Sequence, residues 1–132
     1  MTTSVEFRLI GPGAFLIVVP VRINGQGPFT FGFDTGGAHT SISTQLAERL
    51  DLNMADAGES FGFGSAVQLQ EARLLSLELG ALVLRNAKVA VADFSPFTAR
   101  LGESIDGILA YDFFGCFVVT IDYPKRVLRI DG

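Results

Sequence analysis

Apolar and polar positions along this chain alternate with period two far more often than they recur every third or fourth residue. Val5, Phe7 and Leu9 alternate with Glu6 and Arg8. Phe15 to Ile23 is an apolar run that becomes alternating toward its end, and Asn24 to Gly27 (NGQG) is a strong hairpin turn. Beyond it Phe29, Phe31 and Phe33 share one face and Thr30 and Gly32 the other, which predicts a second strand ending at Asp34. Val67 and Leu69, then Leu75, Leu77 and Leu79, then Val89 and Val91 mark three further strands. Turn signals stand at Gly80 and at Arg85 to Lys88 (RNAK). Cys116 to Tyr123 and Val127 to Ile130 read as a closing hairpin around YPKR, where Pro124 suits a turn.

Helical signal is sparse. Ser43 is a good N-cap for Thr44 to Leu50, which places Leu46, Ala47 and Leu50 along one side. Tyr111 to Gly115 (YDFFG) fits a single helical turn stopped by its glycine. Many short strands with one or two short helices predict an all-β fold, a closed barrel or sandwich. No repeat, linker or low-complexity tract divides the sequence, so residues 1–132 are expected to form one domain.

Composition sharpens this picture. A chain of 132 residues can bury roughly two thirds of its unfolded surface. Its 48% hydrophobic content and mean hydropathy of +0.40 call for strands covered on both faces, a closed barrel, or an apolar surface kept for a partner. The formal net charge of -4, without a basic stripe, excludes binding through nucleic-acid phosphates. The longest apolar run, Ala14 to Val21, is too short to span a bilayer and contains Pro20. No basic segment followed by an apolar core opens the chain, so no signal peptide is visible. A soluble protein is expected, cytoplasmic, or periplasmic if a leader has been removed. Cys116 is the single cysteine and its apolar flanks predict a buried structural thiol. One cysteine and one histidine leave no Cys/His zinc site, and no metal or cofactor is expected.

The candidate chemistry lies in FTFGFDTGGAHTSIS, Phe29 to Ser43. Asp34 ends an apolar strand, so its carboxylate is expected to be partly desolvated. Thr35 sets a hydroxyl beside it, the amides of the turn can bond to it, and Gly36 and Gly37 let another backbone approach closely. Such a loop can hold a carboxylate rigidly.

FDTGGAHTSIS followed by LAERLDL resembles the active-site segment of retroviral-type (retropepsin-like) aspartic proteases, especially their bacterial single-domain relatives. A second landmark of that family, an apolar-apolar-Gly segment behind the active-site loop followed by a short helix, is similar to DGILAYDFF, with Ile108, Leu109 and Ala110 after Gly107. The flanking PVRINGQGPFTF and VVTIDYPKRVLRI extend the resemblance over nearly the whole chain. It implies a closed barrel of the retropepsin type. It also implies an aspartic endopeptidase in which Asp34 is catalytic, Thr35 to Ala38 form the active-site loop, and Phe61, Gly62, Phe63 and Gly64 belong to a flap over the substrate. Substrate pockets would be lined near Ala38, Phe61, Phe63 and Ile108. Two positions depart from the family pattern: Gly37, where Ala or Ser is usual, and Ala110, where Gly is usual. If position 110 needs a glycine-only conformation or a close backbone approach, Ala110 shifts the floor of the site.

Hydrolysis by this route uses two carboxylates that share a proton, and the chain holds one Asp-Thr-Gly. The resemblance therefore implies a homodimer with two Asp34 residues at its two-fold axis, the Thr35 hydroxyls bonding across it, and an extended peptide or unfolded protein as substrate. Asp112 is expected to make a structural hydrogen bond or ion pair, Asp106 and Asp122 to serve turns, and His39 to lie on a surface loop. The alternative is a protease-fold module that grips extended peptides by strand addition without cleaving them, a reading that only Ala110 favours. A phosphate-binding loop at DTGGAHTS is discarded, since no Gly-x-x-x-x-Gly-Lys-Ser/Thr motif and no second phosphate segment accompany it.

Overall fold

The alternating start of the chain forms β1 (Thr2–Glu6) and β2 (Arg8–Ile10). A computed structural model describes residues 1–62 and 65–132, with the side chains of residues 59–68 outside the description. The apolar run forms β3 (Leu16–Ile23) and turns at Asn24 and Gly25 into β4 (Gln26–Phe33). Both turn residues have positive φ, 52° and 76°, the conformation that Asn-Gly adopts most readily in a two-residue hairpin. Next come β5 (Ser41–Ser43) and α1 (Thr44–Arg49), where Ser43 Oγ accepts the Leu46 amide at 3.1 Å and caps the helix as expected. The remaining elements are β6 (Ala55–Gly62), β7 (Ser65–Leu79), β8 (Leu82–Ala92), α2 (Ser95–Leu101), β9 (Gly107–Leu109), α3 (Tyr111–Phe114), β10 (Val118–Asp122) and β11 (Val127–Asp131).

Six strands close on themselves in the order β3, β4, β9, β5, β8, β7 and back to β3, with β2 added to β3 and β6 to β7. The β4–β9 and β5–β8 pairs are parallel, which the intervening loops and helices permit, and the other pairs are antiparallel. The expected closed all-β barrel is thus the observed architecture. Its interior holds Ile23, Phe31, Ile42, Leu74, Leu77, Leu79 and Leu109, all fully buried. A smaller apolar cluster of Ile10, Leu16, Val18, Phe94, Leu101 and Ile105 lies between β2, β3 and α2. β1, β11 and β10 form a separate antiparallel sheet that presents Val5, Leu128 and Ile130 to the core. At its seam the Thr2 hydroxyl donates to Asp131 and Arg129 stands alongside, which holds the Asp131 carboxyl below the usual aspartate range. A lowered folded-state pKa means that this support is present above the ordinary aspartate range and is lost as the pH falls through the lowered value.

The structure corrects four sequence-based expectations. Three helices form where one or two were expected; the extra one is α2. Its signals were present in DFSPF: Asp93 accepts the amide and hydroxyl of Ser95, Pro96 sits in the first turn, and Gly102 closes the helix at φ 80°. The RNAK stretch does not end a strand but lies inside β8. The two strands expected at Val67 to Leu69 and at Leu75 to Leu79 are one, β7, whose inward face slips between Leu74 and Leu77 and leaves Leu75 71% exposed. At the slip the Leu75 and Ser76 amides both turn to Asn24 Oδ1 (2.9 and 3.2 Å), so the β3–β4 turn fixes it. Finally, Cys116 is exposed, because the turn after α3 buries Phe114 and half-buries Phe117 while aiming Cys116 outward.

The tightest point in the barrel is Gly107, the first residue of β9. A Cβ there would stand 2.4 Å from the Phe31 ring and 2.7 Å from the Ser41 carbonyl. Gly107→Ala is therefore expected to destabilise the fold by about 3 kcal/mol, the upper range for overpacking, read as a lower denaturant midpoint at unchanged slope.

Candidate active site

Asp34 stands one residue past β4, and the ladder between β4 and β9 continues into it: the Asp34 amide donates to the Leu109 carbonyl at 2.9 Å. Phe33, just before it, is buried against Phe114 with ring centroids 4.6 Å apart. The carboxylate is thereby anchored from behind. In front, the Gly36 amide donates to Asp34 Oδ1 at 3.0 Å and the Gly37 amide to the Asp34 carbonyl at 3.2 Å. One turn amide thus holds the carboxylate and a second holds its backbone, in the manner the sequence suggested. Its desolvation is different: Asp34, Thr35, Gly36 and Ala38 are exposed and Gly37 is half-buried, so a single chain leaves this carboxylate in water. The Thr35 hydroxyl has no hydrogen-bond partner among the described residues.

The second landmark lies against this loop. Gly107 and Leu109 are buried, Ile108 is half-buried toward the smaller apolar cluster, and Ala110 is fully buried. Ala110 has φ -121° and ψ -172°, extended backbone open to any residue, so position 110 imposes no glycine-only conformation. The Tyr111 amide donates to the Gly37 carbonyl at 2.8 Å, and α3 begins there.

One residue that sequence reasoning passed over completes the frame. Thr40 is 4% exposed, and Asp112 accepts both its amide (2.9 and 3.0 Å to the two carboxylate oxygens) and its hydroxyl (2.7 Å). The same Thr40 oxygen accepts the Ala110 amide at 3.2 Å, and the Thr40 carbonyl accepts the Ala90 amide at 3.0 Å. Asp112 thus has the structural role expected of it. No local signal marks Thr40, since its partner lies 72 positions away. Asp106 likewise serves structure: its carboxylate accepts the Thr30 amide at 2.9 Å, four residues and so about 13 Å along the strand from Asp34. Asp122 receives the Lys125 amide in the β10–β11 turn. Neither Asp106 nor Asp112 is free to act as a second carboxylate beside Asp34.

Of the residues expected to form a flap, Phe61 and Gly62 end β6 and pair with Ala66 and Ser65 of β7, whereas Phe63 and Gly64 fall outside the described residues. His39 is exposed, as expected, and lines a cleft of about 410 Å³ with Thr40, Glu71, Lys88 and Asp112. Lys88 and Glu71 pair across its wall at 3.0 Å. Among the described residues no cluster of His, Cys, Asp and Glu could hold a metal ion.

A barrel that aims one loop-held Asp-Thr-Gly at solvent, backed by an apolar segment and a short helix, is the arrangement of the aspartyl proteases, and their family model matches residues 19–113, well over half of the chain. The chain belongs to the aspartyl protease family. No curated protein sequence matches it significantly. Among solved structures it is similar to a retropepsin-like aspartic protease from Rickettsia conorii, with 16% identity, a TM-score of 0.66, and 98% of this chain and 92% of the other covered. The EIAV protease, solved with the inhibitor HBY-793, is similar at 19% identity and TM-score 0.59 over 75% of this chain and 85% of its own. The retroviral protease-like domain of Ddi1 from Leishmania major is similar at 17% identity and TM-score 0.56, with 89% of each chain covered. These structures bear on the fold, which is that of a retropepsin-like aspartyl protease.

The Thr40–Asp112 contact carries a prediction of its own. Asp112→Ala strands a buried amide and hydroxyl on Thr40 and is expected to cost about 2 kcal/mol of stability, with Thr40→Val/Asp112→Ala costing less than the sum of the single changes. Urea unfolding of the four proteins measures both quantities.

Proposed function

We propose that this chain is an aspartic endopeptidase that works as a homodimer, with Asp34 of each protomer meeting at the two-fold axis. The observation that carries the reading is an aspartate held by its own turn yet left in solvent, beside a threonine hydroxyl without a partner in the described chain. Two carboxylates in close contact do not ionise together readily, so a pair shares a proton over a range of pH. The ionised member takes a proton from water as it attacks the scissile carbonyl, and the protonated member donates toward the carbonyl oxygen. Peptide would lie extended between the loop of Thr35 to Ala38 and the β6–β7 hairpin, in the flap role. Gly107 to Ala110 form the floor. No metal or cofactor takes part in this scheme.

A surface for the partner copy follows from the hydrogen-bond phase of the terminal sheet. Met1 and Gly132 exchange backbone bonds and the Phe7 amide reaches the Arg126 carbonyl, so Leu128 and Ile130 bond toward β1. Val127, Arg129 and Asp131 then bond toward β10, and Val119 and Ile121 direct their backbone groups to its free edge. That edge is short and β-branched, with exposed apolar side chains on it and just after it: Val118 at 66%, Tyr123 at 50%. Unprotected edges of this kind pair with another strand. Antiparallel pairing of two β10 edges would join the terminal sheets across the axis.

Asp34→Asn is expected to lower cleavage of a denatured protein by about a thousandfold or more while leaving the unfolding midpoint near that of the native chain. Ile121→Lys is expected to shift the sedimenting species toward monomer and to make activity per chain rise with concentration. Cleavage retained by Asp34→Asn would end the assignment. An active Ile121→Lys monomer would end the dimer.

A further inference from the structure

Neither Gly36 nor Gly37 occupies the left-handed region, so backbone conformation does not explain why position 37 lacks a side chain. Space does. A Cβ built on Gly37 would lie 3.2 Å from Asp34 Oδ2, 3.3 Å from the Ala110 Cβ and 3.5 Å from the Asp34 carbonyl oxygen. Contacts this short require a neighbour to give way by a few tenths of an ångström, and the two principal neighbours differ greatly in compliance. Ala110 is fully buried and fixed from three sides: its amide donates to Thr40 Oγ1 at 3.2 Å, and its carbonyl accepts the Phe113 and Phe114 amides at 3.0 and 3.3 Å. The Asp34 carboxylate is exposed, with Oδ1 held by one amide and Oδ2 making no hydrogen bond among the described residues. A methyl at position 37 is therefore pressed against a wall that cannot move and displaces the carboxylate that can.

We infer that Gly37 and Ala110 act as one steric pair with room for a single methyl group between them, and that the Ala110 methyl, by filling that room, makes position 37 a positioning residue for the Asp34 carboxylate. The inference concerns where Asp34 points, and its bearing on cleavage rests on the reading of Asp34 as the catalytic group. Moving the methyl across the contact, from 110 to 37, restores the atom count and reopens space on the rigid side. Adding it at 37 alone does not.

The experiment is a double-mutant cycle of Gly37→Ala and Ala110→Gly, read first by the carbon-13 carboxyl resonance of Asp34 in protein labelled at aspartate and assigned with Asp34→Asn. This signal reports the carboxylate whether or not the protein cleaves anything. Gly37→Ala is expected to displace the Asp34 resonance, and Gly37→Ala/Ala110→Gly to return it to the native position. If cleavage is assayed in parallel, Gly37→Ala is expected to lower kcat about tenfold with little change in KM, a loss in keeping with a small misplacement of the reacting group, and the double variant to recover most of it. An unchanged Asp34 signal in Gly37→Ala overturns the inference. So does a displaced signal that Ala110→Gly fails to reverse. Should Gly37→Ala not fold, the double variant decides: it must fold and carry the native Asp34 signal, or the pair is not a pair. Coupled signals in a protein without cleavage would leave the steric pair standing and remove the protease assignment.

Discussion

The site rests on the close passage of β9 between β4 and β5. Gly107 lies where the Phe31 ring and the Ser41 carbonyl leave no volume for a side chain, and β9 is thereby drawn into bonding with both neighbours. Once it is there, the last bond of the β4–β9 ladder is the Asp34 amide to the Leu109 carbonyl, and the next residues, Ala110 and Tyr111, meet Gly37 and Thr40. The position of the carboxylate is thus inherited from a backbone contact between segments distant in the sequence. Thr40 and Asp112 fasten the far end of the loop in the same manner, with a buried donor pair that has no alternative partner.

The chain's high apolar content has two destinations. Most of it fills the barrel and the smaller cluster beside α2, as a closed sheet with a helix on its flank requires. Part of it remains outside: singly at Phe15 and Leu75, and together on α3, on β10 and just after it, where Tyr111, Val118, Ile121 and Tyr123 are exposed. The carboxylate of Asp34 and the edge of β10 are both exposed in a single chain, and the proposed two-fold partner would cover both. That coincidence is the physical content of the dimeric reading.

Identities of 16% to 19% to other retropepsin-like barrels indicate how few side chains this architecture fixes individually. Alternation of apolar residues, a turn that reverses the chain, and a glycine at the crossing strand suffice for the frame. Volume is then shared locally, and the Gly37–Ala110 contact illustrates how a methyl group on one side of a contact dictates its absence on the other. The carboxylate between them is sensitive because it is the softest of the three neighbours.

The sequence by itself determined what depends on near neighbours along the chain. The Asn24-Gly25 turn, the Ser43 cap, the single turn at Tyr111 to Phe114 and the loop that holds Asp34 were legible because each is made of residues within a few positions of one another. The signals for α2 were equally local, in Asp93, Ser95 and Pro96, and were outweighed by the prevailing period of two. Tertiary structure alone decided what depends on packing across the barrel: the face slip at Leu75, set by Asn24, the exposure of Cys116, and the hold of Asp112 on Thr40. It also decided that Asp34 stands in water. Burial is a property of what lies opposite a residue, and a sequence does not state what lies opposite until the chain has closed.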